Sequence, residues 1–311
     1  MSAEPRGTLL FHRDFRRLTG GHLKVSHYYR HAAGSTRFYP RIYLSPGSRR
    51  DRSNPFLGVG DSPLADWRPA EAHALFLAGL DWNAVPAGLD RPVVNLIQGV
   101  RHADLSDPRR DFLRRRAVRI CVSDEVADAI RETGLVNGPV VTIPNAIDVA
   151  TAARMDGPRP VRLLVAGWKH PPLTADVAAR LAAAGAAPDV IAAPLPREAF
   201  LARIAAADVV VLLPLPQEGC FLPALEAFAL GCVVVCPDCV GNRQFCRQGE
   251  TCFRPDHAPA AIVAAALEAL LLTGEDRARL VSAAIDEAGR RSLDGERGAF
   301  LDILDHIDQL W

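Results

Sequence analysis

The sequence lacks an excess of charge of either sign. Its 311 residues include 36 Lys+Arg and 36 Asp+Glu, for a formal net charge of +0. A nucleic-acid-binding protein normally carries a basic excess, so the whole-chain charge gives no argument for that class. Aromatic residues make up only 6% of the chain, which leaves the cores to Ala, Val, Leu and Ile. With 49% hydrophobic and 23% charged residues, the composition is that of a globular protein and not of a disordered one.

A long hydrophobic run is also missing. The N-terminal stretch MSAEPRGTLLFHRDF has only a few apolar residues before charge returns, too short for the core of a signal peptide. The most apolar later stretch begins at Ala258, contains Glu268, and is shorter than the ~20 residues of a transmembrane helix. We therefore expect no membrane span and a cytoplasmic location.

The cysteine pattern does not suggest a disulfide framework. The chain has 7 Cys, and an odd number in a long chain indicates the reduced thiols of the cytosol. Several of them crowd between Cys232 and Cys252, where Cys236 and Cys239 form a CxxC pair. Because no second pair has matching spacing, we favour packed thiols over structural zinc or redox chemistry, and we predict no metal site.

Short apolar runs rich in β-branched residues alternate with helix-length segments along the chain. Continuous apolar runs are typical of strands buried on both faces of a parallel sheet. A proline- and glycine-marked stretch at about residues 145–160 separates two such halves. We predict an α/β fold with two Rossmann-like, doubly wound parallel-sheet domains facing a cleft, residues 1–148 and 149–311, the first of them compact. The predicted strands begin at residues 8, 41, 74, 93, 119, 139, 161, 189, 208 and 232, with an eleventh, TCFR, at 251.

The segment LPLPQEGCFLPALEAFALGCVVV is the most informative about function. It predicts a strand end, a loop with Glu218, and a helix that starts near Pro223 and ends at Gly231. Free amides at a helix N-terminus bind anions, phosphate in particular. Two carboxylates, Glu218 and Glu226, lie near the same helix start and would suit sugar hydroxyls. The amides predicted to point out of this helix are those of Gly219, Cys220, Phe221 and Leu222.

The spacing E-x7-E in EGCFLPALEAFALG resembles the signature of retaining GT-B glycosyltransferases of glycosyltransferase family 4, the group 1 transferases. CVVVCPDCVGNRQFCRQGETCFRPD resembles the family's segment after the signature helix, and VRICVSDEVADAIRE…VVTIPNAID resembles its interdomain crossover. Near the start, LTGGHLKV resembles the family's glycine-rich loop. Together these patches extend from residue 19 to about residue 256.

The resemblance implies roles for individual residues of the second domain. Glu218 would contact the donor sugar, Glu226 would hold the nucleotide ribose, and the amides of residues 219–222 would bind the diphosphate. The family's arginine after the first strand of this domain is missing, because Trp168 stands in its place. We therefore expect Lys169 to be the diphosphate cation, with Trp168 as a wall of the site and Arg243 as a second cation.

The first domain offers weaker candidates. Gly20 and Gly21 would let the backbone approach a donor phosphate, although an ordinary turn explains them equally well. His102 follows the fourth strand, near where relatives often carry an acceptor-side histidine. Gln98 and Lys24 are weaker candidates, and the crossover reads PNAID where the family commonly has PNG.

Two further segments complete the interpretation. DPRRDFLRRRAVR predicts a basic helix over residues 109–119, either a solvated face or a peripheral membrane contact at the inner face. The last helix, at about residues 296–311, is amphipathic and, as in relatives, would pack back on the N-terminal domain.

These features favour a metal-independent, retaining glycosyltransferase. The nucleotide-diphosphate sugar would be a co-substrate bound by the C-terminal domain, no cofactor is implied, and the acceptor hydroxyl would be bound by the N-terminal domain. The acceptor could belong to a glycan, a lipid-linked molecule or a small molecule. The alternatives are a nucleotide-sugar-binding protein without turnover and a GT-B-fold sugar epimerase.

Overall fold

The computed structural model describes residues 6–149 and 157–311, and its contacts divide the chain into two compact units. Unit 1 comprises Met1–Asn145 and Leu293–Trp311, and unit 2 comprises Ala146–Ser292. The sequence-based prediction put the boundary after residue 148 and gave residues 149–311 to the second domain, with the last helix, at about residues 296–311, packing back on the first. In the structure the division falls after Asn145, and the last helices belong to unit 1.

Unit 1 is built on a six-stranded parallel sheet with strand order β2-β1-β3-β4-β5-β6. The central strands β3 and β4 consist of apolar residues apart from Asn95, and every residue in them is buried, as two covered faces require. Chain order reverses between the neighbours β1 and β3, which is the position where sheets of this kind bind ligands. The strands are β1 (Gly7–Arg13), β2 (Phe38–Leu44), β3 (Ala74–Ala78), β4 (Val93–Ile97), β5 (Val118–Cys121) and β6 (Val140–Thr142).

Unit 2 has a four-stranded parallel sheet of order β10-β9-β7-β8, so chain order reverses between β7 and β9. Each of the ten strands found in the described part of the chain coincides with a predicted one. The eleventh prediction is wrong, because residues 251–254 contribute only isolated bridges, one of them between Val235 and Phe253. The strands are β7 (Val161–Ala166), β8 (Asp189–Ile191), β9 (Ala207–Leu212) and β10 (Val233–Val235).

Two helices of unit 1 begin at side chains that cap their first turn. Thr19 accepts a hydrogen bond from the His22 amide at the start of α1, and Ser123 accepts one from Val126 at the start of α2. The helices are α1 (Gly20–Ala32), α2 (Asp124–Glu132), α3 (Pro171–Ala183), α4 (Arg197–Ala205), α5 (Leu222–Ala229), α6 (Pro259–Leu271), α7 (Gly274–Gly289), α8 (Leu293–Asp305) and α9 (Ile307–Leu310). Across the described ranges, no helix has the length and hydropathy needed to cross a bilayer.

The C-terminal helix α8 packs on α1 within unit 1. Lys24 Nζ lies 2.5 Å from Glu296 Oε2, and His31 Nε2 lies 3.0 Å from Glu296 Oε1. The Lys24 and Glu296 side chains are at most 1% exposed. A buried lysine is tolerated only when it is paired. Here the pair links the C-terminal segment of unit 1 to its N-terminal segment. Lys24, a weak candidate for the functional site, is therefore a structural residue.

The prediction of a basic α-helix over residues 109–119 is wrong. The segment forms a 3₁₀ helix over Pro108–Arg114 and then enters β5. Arg115 and Arg116 stack over the rings of Trp82 and Trp311, at 4.6 and 4.8 Å. Arg115 and Arg116 thus contact aromatic rings of unit 1 itself, and the α-helical face assumed in both alternatives, solvent or membrane, is not present.

Arg119 shows most clearly why the charge pattern was misleading. The side chain is fully buried, and burial lowers its pKa to about 10. Its guanidinium donates hydrogen bonds to five backbone carbonyls, which belong to Phe112, Leu113, Arg115, Ala117 and Asn137, at 2.5–3.0 Å. The buried Arg119 side chain therefore holds the segment between the 3₁₀ helix and β5 in place through these hydrogen bonds.

Replacing Arg119 by methionine is expected to lower the free energy of unfolding by about 3 kcal/mol or more, because several buried carbonyls lose their donor. Arg114→Met is the matched control, since Arg114 lies in the same stretch but is exposed. The control should change stability by no more than about 0.5 kcal/mol. Urea denaturation followed by circular dichroism measures both variants, and equal stabilities would contradict the structural role of Arg119.

Candidate active site

Four charged residues of unit 2 each follow the carboxyl end of one of its strands. Lys169 follows β7, Arg197 follows β8, Glu218 follows β9 and Arg243 follows β10. Carboxyl ends of parallel strands meet at one edge of the sheet, and ligands bind there near the reversal of strand order. The reversal lies between β7 and β9 and thus between the segments that carry Lys169 and Glu218. This edge of unit 2 is the candidate active site.

The structure brings Glu218 and Lys169 together. Lys169 Nζ lies 2.5 Å from Glu218 Oε1, and the side chains are 39% and 16% exposed. Lys169 is one of two lysines in the chain, and the other, Lys24, is buried in unit 1. An accessible ammonium group held by a carboxylate is available to exchange that partner for a phosphate oxygen. The sequence predicted both residues for the site, and it did not predict that they pair.

Gly167 fixes the loop that carries Lys169. A side-chain carbon at this position would come within 2.1 Å of Thr174 Oγ1 and 3.0 Å of Leu213. Thr174 Oγ1 also donates a hydrogen bond to the Gly167 carbonyl at 2.7 Å. Only glycine allows helix α3 to approach the end of β7 so closely, and this approach sets where Trp168 and Lys169 lie. Trp168 makes an edge-to-face contact with Phe200, with ring centroids 5.1 Å apart.

The start of α5 differs in part from the predicted cradle of four free amides. The helix begins at Leu222 with Pro223 in its first turn, as predicted. The Phe221 amide, however, donates to the Gly241 carbonyl at 3.3 Å, and the Gly241 amide donates to the Glu218 carbonyl at 2.7 Å. The prediction of a free amide is therefore wrong at Phe221. Gly219 and Cys220 lie in the loop before the helix, and Leu222 is its first residue.

Gly241 makes this arrangement possible. A side-chain carbon on Gly241 would lie 2.3 Å from the Cys220 nitrogen and 2.3 Å from the Gly219 carbonyl carbon. Because both neighbours are backbone atoms, no side-chain movement could relieve the clash. The loop after β10 is thus pressed directly against the loop that carries Glu218, and each fixes the other.

Glu226 is buried within α5 and paired with a residue that the sequence analysis missed. Its side chain is 3% exposed and forms an ion pair through Oε1 with Arg197 Nη1. Burial raises the Glu226 pKa, and the charge and hydrogen bond of Arg197 oppose that shift. Arg197 Nη2 also donates to the Asp148 carbonyl at 3.2 Å. The Arg197 signal in the sequence is faint, a lone basic residue after Pro196 at the start of a helix.

The loop after β10 is held by a buried asparagine. Asn242 Nδ2 donates to the Pro237 carbonyl at 2.8 Å, and Asn242 Oδ1 accepts from the Cys239 amide at 3.1 Å. Next to it, Arg243 bonds Asp238 at 2.7 Å, and this hydrogen bond lowers the Asp238 pKa. Arg243 is half-exposed at the same sheet edge as Lys169, but its guanidinium is engaged by that aspartate.

The cysteines around this loop are packed into the core of unit 2. Burial raises the pKa of Cys232 to about 11 and that of Cys239 further still, so neither is a ready nucleophile. No metal-holding group of three or more His, Cys, Asp or Glu side chains occurs within residues 6–149 and 157–311. The buried thiols of this group are Cys232, Cys236, Cys239, Cys246 and Cys252.

The candidates in unit 1 lie at the carboxyl edge of its own sheet. Gly20 and Gly21 are in the first turn of α1 and not in a loop, which corrects the prediction. Gln98 Nε2 donates to the Gly21 carbonyl at 3.4 Å. His102 lies in a 3₁₀ turn after β4, where its Nδ1 is 3.0 Å from the Gly99 carbonyl. Burial lowers the His102 pKa to about 4, so the imidazole is neutral at pH 7.

Comparisons with known proteins agree with this architecture. Residues 125–272, just under half of the chain, match the family described as glycosyl transferases group 1. The sequence has no significant match among curated proteins.

Solved structures resemble the whole chain in fold. Anabaena HepE in complex with UDP-glucose has a TM-score of 0.75 and 14% identity, covering 96% of this chain and 100% of that one. Sucrose-phosphate synthase from Thermosynechococcus elongatus has a TM-score of 0.68 and 11% identity, covering 98% and 100%. A glycosyltransferase from Rickettsia africae has a TM-score of 0.66 and 11% identity, covering 97% and 98%. The predicted fold class is confirmed by these similarities.

Proposed function

Because this chain carries a group 1 glycosyltransferase domain and has the GT-B fold, we propose that it transfers a sugar from a nucleotide-sugar donor to a hydroxyl acceptor. We further propose that the transfer retains the anomeric configuration and requires no metal ion or other cofactor. Unit 2 binds the donor in this proposal, and unit 1 binds the acceptor.

The observation that carries the proposal is the arrangement of the two signature glutamates in unit 2. Glu218 lies in the loop before α5, Glu226 follows the first turn of that helix, and Glu218 is paired with the accessible Lys169. A nucleotide-diphosphate sugar has a ribose, a diphosphate and a hexose in a row. In our assignment Glu226 takes the ribose hydroxyls, Lys169 and the helix start take the diphosphate, and Glu218 takes the hexose hydroxyls.

The chemistry follows from these assignments. As the bond from the anomeric carbon to the diphosphate oxygen breaks, the sugar gains oxocarbenium character and the diphosphate gains negative charge. A fixed cation near that oxygen stabilises the transition state more than the ground state. Lys169 supplies this charge, which is the role that a metal ion has in other transferases. The acceptor oxygen attacks from the face that the diphosphate leaves, and its proton passes to the departing phosphate, so the configuration is retained.

Nucleotide release from a panel of UDP-, GDP- and dTDP-sugars tests the proposal. UDP-glucose is the first donor to try, because the structure of Anabaena HepE contains it. We expect acceptor-dependent release of a nucleoside diphosphate that persists in excess EDTA, and a product whose anomeric configuration, read by NMR, equals that of the donor.

Each alternative function has its own outcome. Tight nucleotide-sugar binding without release, with every acceptor tried, would identify a binding protein without turnover. A donor whose sugar changes configuration without any acceptor would identify an epimerase. Loss of transfer in EDTA would contradict metal independence alone.

A further inference from the structure

The ion pair between Glu226 and Arg197 differs from the surface ion pairs of this protein. The Glu226 side chain is 3% exposed and that of Arg197 is 23% exposed. In the same helix α4, Arg203 pairs with Asp189 at the surface, where the side chains are 34% and 40% exposed. A surface pair contributes little, whereas a buried carboxylate that loses its partner becomes costly to keep ionised.

Arg197 is held in place from two sides. Nη1 binds Oε1 of Glu226, and Nη2 donates to the Asp148 carbonyl at 3.2 Å. The guanidinium is therefore held at two of its nitrogens, and it holds the Oε1 atom of the carboxylate in turn. With Oε1 bound to Arg197, the second oxygen, Oε2, is the one assigned to the nucleotide.

Other charged groups around α5 are engaged elsewhere. Its neighbour α7 carries Glu287, which pairs with arginines 247, 290 and 291. The strand β9 carries Asp208, which pairs with Arg277. Among residues 6–149 and 157–311, burial raises the Glu226 pKa and Arg197 opposes that shift. The protonation state of Glu226 thus follows from the balance between burial and this arginine.

We infer that Arg197 is a positioning residue of the donor site, which acts through Glu226 by keeping its carboxylate charged and oriented for the ribose hydroxyls. This inference rests on the proposed function, because it takes Glu226 as the ribose contact. A charged acceptor makes hydrogen bonds roughly twice as strong as a neutral one. Without Arg197, burial favours the protonated form of Glu226, and nucleotide affinity becomes sensitive to pH.

The test measures UDP-glucose binding by calorimetry between pH 5.5 and 9, a range in which the diphosphate of this donor does not titrate. Arg197→Met is expected to weaken binding about 10- to 100-fold at pH 7. The pH at which binding is half-maximal should rise, because Glu226 then ionises only at higher pH. Arg197→Lys should restore most of the affinity and the wild-type pH profile, whereas Arg197→Gln should not.

A double-mutant cycle distinguishes action through Glu226 from direct contact or misfolding. Glu226→Gln should weaken binding without a pH-dependent step, and adding Arg197→Met to it should weaken binding by no more than about 2-fold. Arg203→Met is the matched control in α4 and should bind as the wild type does. Circular dichroism checks the fold of each variant, and if Arg197→Met does not fold, Arg197→Gln takes its place in the cycle.

The outcomes separate this inference from the proposed function. If the wild type binds UDP-glucose and Arg197→Met shows the same pH profile as the wild type, the inference is wrong and the proposed function stands. An equal loss from Arg197→Met in the wild-type and Glu226→Gln backgrounds would also overturn it. If the wild type binds none of the UDP-, GDP- or dTDP-sugars, the proposed function fails, and the inference fails with it.

Discussion

Glu218→Gln is expected to lower kcat for sugar transfer by about 10²-fold or more, while nucleotide affinity stays within a few-fold of the wild type. The carboxylate is 2.5 Å from Lys169 and is assigned to the hexose hydroxyls of the donor. Glutamine keeps the size of the side chain but removes its charge. The sugar is then held less firmly, and the positive charge that develops on it in the transition state loses a nearby anion. Initial rates with varied donor measure kcat and KM separately.

Glu268→Gln serves as the control for this variant. Glu268 is an exposed residue of α6 and has no assigned role in the site. The Glu268→Gln variant should have the kcat, KM and free energy of unfolding of the wild type. A Glu218→Gln enzyme with full activity would remove Glu218 from the site, and one that no longer binds nucleotide would mean that the residue shapes the nucleotide pocket instead.

Lys169→Met is expected to lower kcat by about 10²- to 10³-fold, because the departing diphosphate loses its fixed cation. A second effect acts in the same direction. In the donor-free protein Lys169 neutralises Glu218, so its removal leaves a carboxylate beside the position assigned to an anionic diphosphate. Donor affinity should therefore also fall, unlike in Glu218→Gln. Single-turnover rates at saturating donor separate the loss in chemistry from the loss in binding.

Lys169→Arg and the double variant test the cause. Arginine keeps the charge and should retain more activity than methionine, although its planar fork fits a different geometry. The double variant, Lys169→Met with Glu218→Gln, should bind donor better than Lys169→Met alone, since the uncompensated carboxylate is gone. If Lys169→Met keeps wild-type kcat, the diphosphate cation lies elsewhere, and Arg243 is the next candidate.

Much of the fold could be predicted because it depends on local composition. A strand such as β4 is apolar over nearly its whole length, and only a strand covered on both faces buries such a run. The helix after Ser123 has its own capping side chain, and Pro223 marks the first turn of α5. The helix predicted for the basic stretch before β5 is wrong because the structure of this stretch does not depend on local composition alone. Its sequence shows charge but not the carbonyls of residues 112, 113, 115, 117 and 137 that accept hydrogen bonds from Arg119.

The candidate site was predictable to the extent that its residues follow one another in the chain. Glu218 and Glu226 are eight positions apart around one helix start, so spacing alone placed both near the helix N-terminus. Arg197 and Gly241 were missed because their contacts lie far along the chain. Glycine at residue 241 is required by backbone atoms of residues 219 and 220, which no local pattern indicates.

The sequence by itself determined the α/β class, ten strands and the helix that carries both glutamates, because hydrophobic runs, caps and turns act over a few residues. Only the tertiary structure decided which charges compensate each other. It pairs Lys169 with Glu218 across neighbouring strands and buries Glu226 against Arg197. It also buries Lys24 and Arg119, which stabilise unit 1 from within. The physical reason is that the energy of a charge depends on burial and on its partner, and folding sets both through contacts between distant residues.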